Sequence, residues 1–164
     1  MNPVLKTALL SAALVAAGCG QSEPEASAEP AVTQVACPKP DGDGVIEIEP
    51  GLVATILKPG YGRAAQSKDY ADVHATLWLY DEGGDGGRGN EIWSSGGAQP
   101  FQFQIDAGQV IAGWDLGVKC MLVGERRKLR IAPEFGYGAR GKPPVPPNAT
   151  LLFEIELVKL TAPL

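Results

Sequence analysis

From Thr150 to Leu160 the chain sets Leu151, Phe153, Ile155 and Leu157 at every second position, with Glu154 and Glu156 between them. A period of two places the apolar set on one face of a β-strand, and a helix cannot use that pattern. The stretch Asp72 to Tyr80 repeats it, with Val73, Ala75, Leu77 and Leu79 alternating against His74, Thr76, Trp78 and Tyr80. Two long one-sided strands need a sheet and something apolar laid on its inner face.

The rest of the chain supplies short partners. Leu52 to Leu57 is a compact apolar run stopped by Pro59-Gly60, Phe101-Gln102-Phe103-Gln104-Ile105 alternates again, and Glu125 to Ile131 is a charged alternating stretch. Val110, Ile111, Trp114 and Val118 fall instead at helical spacing, over a few turns only. With 21 Gly and 14 Pro, the chain is punctuated too often for an all-helical bundle. Five of the ten residues from Asp81 to Asn90 are glycine, which reads as a mobile excursion between strands, and Pro133 to Asn148 reads as a long loop. The expected class is α+β, an antiparallel sheet wrapped around one short helix.

The N-terminal part has another character. A positive charge at Lys6, an apolar stretch from Ala8 to Ala17 and the small pair Gly18-Cys19 read as an export signal over residues 1–18. The stretch falls short of the roughly 20 apolar residues a membrane-crossing helix needs. Ala16-Ala17-Gly18-Cys19 resembles a bacterial lipobox, which implies cleavage before Cys19 and a lipid on its sulfur. Gly20 to Ala36 is mostly Glu, Ser, Ala, Gln and Pro, too poor in large apolar side chains to offset chain entropy. We therefore expect a lipid-anchored tether over 19–48 and one domain over 49–164. Cys37 and Cys120 are left either to pair in an oxidising compartment or to stay as thiols, and spacing alone leaves both open.

Several chemistries are disfavoured. The formal charge of −5 argues against nucleic acid as a partner. One histidine, His74, is a poor basis for nucleophilic catalysis. The thiols are single and distant, so no zinc is expected, and neither Asp41-Gly42-Asp43-Gly44 nor Asp81 to Gly86 completes a calcium loop. No cofactor is implied.

Four segments, in order, carry a resemblance: Phe101-Gln102-Phe103, Gly108-Gln109-Val110-Ile111-Ala112-Gly113-Trp114, Glu134-Phe135-Gly136-Tyr137-Gly138 and Pro146-Pro147-Asn148-Ala149-Thr150-Leu151-Leu152-Phe153. Over roughly residues 49–161 the chain resembles the FKBP family. The resemblance implies a five- or six-stranded half-wrapped sheet around one helix, and peptidyl-prolyl cis-trans isomerase activity on proline-containing polypeptides. It makes Trp114 the floor of an apolar pocket, and Phe101, Val110, Val145 and Phe153 its walls. It makes the Tyr137 hydroxyl and the Ile111 backbone N–H donors to the substrate.

Three departures stand out. Ala75 follows His74 where the family usually has Tyr. Ile92 and Trp93 stand where it has Phe and Asp, so the pocket loses its carboxylate. Lys142 stands where it often has His, in a loop one residue shorter. Inhibitors using the lost groups should bind less tightly, by about 0.5–1.5 kcal/mol for each hydrogen bond. The expected molecule is a monomeric, periplasm-facing lipoprotein of the bacterial outer membrane that assists folding of exported proteins. The second reading is a catalytically weak chaperone or binding module on the same fold.

Overall fold

The computed structural model describes residues 37–97 and 99–163. The expected export signal, Cys19 and most of the expected tether lie outside the described residues. The described strands are β1 (Val45–Glu49), β2 (Leu52–Lys58), β3 (Tyr61–Ala64), β4 (Tyr70–Tyr80), β5 (Arg88–Ser94), β6 (Phe101–Gln104), β7 (Leu122–Val123), β8 (Arg126–Ile131) and β9 (Leu151–Thr161), and α1 is Ala112–Val118.

The two strands with the cleanest alternation form the centre. β4 and β9 pair antiparallel from Tyr70 opposite Thr161 to Leu79 opposite Leu151. Their inner sets, Val73, Ala75 and Leu77 with Leu151, Phe153, Ile155 and Leu157, are buried together. All pairings are antiparallel, in the order β1-β2-β8-β9-β4-β5, with β6 also on β4, and β3 pairs with β7 apart from this sheet. The main sheet thus has seven strands, against the five or six expected. β1 is one of the additions: the sheet begins at Val45, so the expected boundary at residue 49 falls at the end of a strand rather than before the domain. Ile46 explains the extension, since burial leaves it only 4% exposed.

The chain is tied down earlier still, by a disulfide from Cys37 to Cys120, the residue two past the end of α1. The glycine-rich excursion is also more ordered than expected. A 3₁₀ turn at Asp85–Gly87 leads into β5, which starts at Arg88 opposite Tyr80.

α1 lies on the inner face, seated on β8. A Cβ at Gly113 would stand 2.6 Å from Ile131 Cγ2, and one at Gly117 would stand 2.4 Å from Leu129 Cδ1. Hydrogen is the only side chain that lets the helix backbone come this close. Beyond its end, Arg127 donates through Nη1 to the Gly117 carbonyl at 2.9 Å and through Nε to Glu125 Oε1 at 2.8 Å. Glu125 in turn accepts the Leu122 N–H at 2.9 Å. Burial pulls the Arg127 guanidinium down from its ordinary value, and the Glu125 charge and hydrogen bond oppose that.

The outer face differs from the simple alternation in one respect. Glu154, a residue the pattern points outward, is buried because Arg126 of β8, at 2.8 Å, and Arg88 of β5 both pair with it. Two cations thus cover one carboxylate.

Candidate active site

α1 is entered through Ile111, whose extended backbone (φ −63°, ψ 150°) turns the chain into the helix, with the Trp114 N–H donating to the Ile111 carbonyl at 2.9 Å. This turn delivers Trp114 to the inner face three residues on. Its indole is wedged among three rings: Phe153 of β9 edge-on at 5.1 Å between centroids, Phe103 of β6 at 5.6 Å and Phe101 of β6 edge-on at 6.0 Å. Edge-on contact is one of the favoured geometries for such rings. The indole is 5% exposed, and its Nε1 has no hydrogen-bond acceptor among the described residues.

Above this floor opens a cavity of about 600 Å³, lined by residues from β4, β5, β6, β9, the start of α1 and the loop before β9. Nine of the ten pocket positions expected from sequence meet there: Ile92, Trp93, Phe101, Val110, Ile111, Trp114, Tyr137, Val145 and Phe153. Ala75 does not. It sits on β4 opposite Ile155, buried in the core, with its N–H and carbonyl both bonded to Ser95. Its methyl is too short to reach the cavity from there, so the position where the resemblance expects a tyrosine supplies no wall.

Leu77, Gln109, Lys142, Pro143 and Pro144 complete the lining, beyond the positions the sequence points to. Leu77 was legible in principle, since the register that puts it opposite Phe153 follows from the matched alternations of β4 and β9. Pro143 and Pro144 reach the site through a tight turn in which Lys142 and Val145 exchange both backbone hydrogen bonds, at 3.0 and 2.7 Å. Gly141 and the Pro143-Pro144 pair mark a loop there, but not that it folds Lys142 back onto Val145 beside the cavity.

Two donors are available. The Ile111 N–H has no acceptor among the described residues, and the Tyr137 hydroxyl has no hydrogen-bond partner there either. Tyr137 caps the 3₁₀ turn Gly138–Arg140. Among the described residues the lining includes no carboxylate, and Trp93, in the position the resemblance gives to one, is 43% exposed at the rim.

A sequence profile described as FKBP-type peptidyl-prolyl cis-trans isomerase matches residues 61–158. The chain belongs to that family. It is 42% identical to FK506-binding protein 1 of Gibberella zeae over 111 residues, which cover 67% of this chain and 98% of that protein. It is 47% identical to FK506-binding protein 1 of Dictyostelium discoideum over 110 residues, 66% of this chain and 96% of that one. Among solved structures, the peptidyl-prolyl cis-trans isomerase of Pseudomonas syringae pv. tomato superposes with a TM-score of 0.61 at 31% identity, covering 72% of this chain and 81% of that one.

This FKBP domain therefore catalyses rotation about Xaa-Pro amides, and its pocket suits that reaction. The planar amide is held by resonance, and twisting it costs about 18–20 kcal/mol. No bond is made or broken, so neither proton transfer nor a nucleophile is needed. Catalysis requires only that the twisted amide be bound better than either planar form. The aromatic floor and walls form an apolar enclosure of a kind that could hold a proline ring away from water. The Tyr137 hydroxyl and the Ile111 N–H, both without partners among the described residues, are the donors that the family resemblance assigns to substrate carbonyls. Twisting withdraws nitrogen density from the carbonyl and reduces charge separation, so an apolar enclosure penalises the planar amide more than the twisted one.

Proposed function

We propose that this isomerase assists the folding of exported proteins at the bacterial cell envelope, as a monomer held by lipid on Cys19. The observation that carries the proposal is the Cys37–Cys120 bridge. Disulfides persist in oxidising compartments and are rare in the cytosol, where thiols are kept reduced. The N-terminal sequence supports the same reading through Lys6, the apolar run Ala8 to Ala17 and the Gly18-Cys19 pair, with Gly20 after the cysteine suited to the outer membrane.

Clients are unfolded chains with exposed Xaa-Pro bonds, whose uncatalysed exchange takes tens to hundreds of seconds and can limit folding. The pocket's half-exposed rim residues, Trp93 and Phe101, suit extended segments carrying apolar side chains beside the proline. Relatives named for binding FK506 suggest the same ligand here, weakened by the missing carboxylate and tyrosine.

The test is expression of the full chain in a bacterial host with labelled fatty acid, beside Cys19→Ser, with thiols alkylated before lysis. We expect label in the wild type only, a membrane-fraction protein, and Cys37 and Cys120 protected from alkylation. An unlabelled protein in the cytosolic fraction with both thiols alkylated would overturn the proposal.

A further inference from the structure

The described lining of the pocket holds one formal charge, the ammonium of Lys142. Its position is defined at both ends. The backbone is fixed by the paired hydrogen bonds with Val145, and the preceding Gly141 N–H bonds to the Tyr137 carbonyl at 3.1 Å. The Nζ lies 5.6 Å from the centroid of the Tyr137 ring, and both side chains line the cavity. Lys142 is exposed and forms no ion pair among the described residues. Arg140, exposed two residues earlier on the same loop, adds charge of the same sign. With Trp93 replacing a carboxylate on β5, no acid offsets these cations within the lining.

We propose that Lys142 makes this isomerase favour Xaa-Pro bonds flanked by an acidic side chain. The proposal rests on the pocket being the isomerase site. A substrate that gives its carbonyl to Tyr137 brings its neighbouring side chains within reach of a lysine beside that same ring. A Glu or Asp within two residues of the proline then meets an unpaired ammonium, and a Lys or Arg meets a like charge. The chain as a whole carries −5 and repels acidic peptides at long range, so the preference is local.

The experiment uses the full chain, Lys142→Gln and Lys142→Glu on peptides differing only in Glu, Gln or Lys, placed in turn before and after the Xaa-Pro pair. NMR exchange gives kcat/KM, and the fluorescence of Trp93 and Trp114 gives Kd on the same peptides. For the wild type we expect Glu over Gln by about two- to fivefold at the better position, the range of an exposed ion pair. That ratio should fall to about one in Lys142→Gln, invert in Lys142→Glu, and shrink as salt is raised from ~20 mM to ~500 mM. A ratio near one in the wild type, or one unmoved by both substitutions, overturns the proposal. Absence of turnover on every peptide by the folded chain would overturn the isomerase site instead, and the Kd ratios would then decide the charge preference by themselves.

Discussion

Replacing both Cys37 and Cys120 with alanine opens a covalent loop with a sequence separation of 83 residues. In the chain-entropy description, closing a loop of that length removes about 15 cal/mol/K from the unfolded chain, or about 4.5 kcal/mol at 25 °C. Part of this is recovered when the bridge is cut, because the native N-terminal segment is released. The structure limits how much. Asp41 holds the next residues without help from the bridge: its side chain accepts the Asp43 and Val45 N–H groups at 3.0 and 2.8 Å, and its own N–H donates to the Val45 carbonyl at 2.9 Å. Among the described residues only Cys37 to Pro40 are freed, and Pro38 and Pro40 have little backbone entropy to regain. Allowing about 1–2 kcal/mol for that release, the double variant should be about 3 kcal/mol less stable. Urea unfolding followed by tryptophan fluorescence, extrapolated to water, measures it, and a larger m-value should accompany it as the denatured chain expands. A loss under about 1 kcal/mol with unchanged m would refute the loop-entropy reasoning.

Arg127→Met should cost about 3–5 kcal/mol, because it strands the buried Glu125 charge, whereas Arg127→Met with Glu125→Leu should recover most of that in the same unfolding assay. Tyr137→Phe removes one donor from an otherwise intact pocket, so kcat/KM should fall by about two- to tenfold with stability nearly unchanged. Trp114→Ala leaves a hole among three rings and should cost about 3–5 kcal/mol, while Trp114→Phe, which gives up no hydrogen bond, should cost clearly less by calorimetry.

How far the sequence went in anticipating this site follows from which interactions are local. Phe101, Trp114 and Phe153 could be picked out because each sits in a regular pattern, and because four segments in order carried the family resemblance. The burial of Glu154 could not, since it depends on Arg126 and Arg88 arriving from strands 28 and 66 residues away. β1 was missed because Val45 to Glu49 has charge at two of its five positions and reads as tether until β2 is present to pair with it. Ala75 was placed in the pocket by analogy with a larger residue. The structure shows that a methyl on that strand packs inward and stops. Lys142 is a visible departure from the family pattern, yet its company with Tyr137 depends on the turn that folds Lys142 back onto Val145.

α1 has seven residues, two of them the glycines seated on β8. A helix that short has no stability of its own in water, so the pocket floor is present only while the sheet beneath it is complete. Partly folded forms of this chain should therefore have no working site, and activity followed through an unfolding transition should count intact molecules. A catalyst of folding built this way is inactive until its own folding is finished.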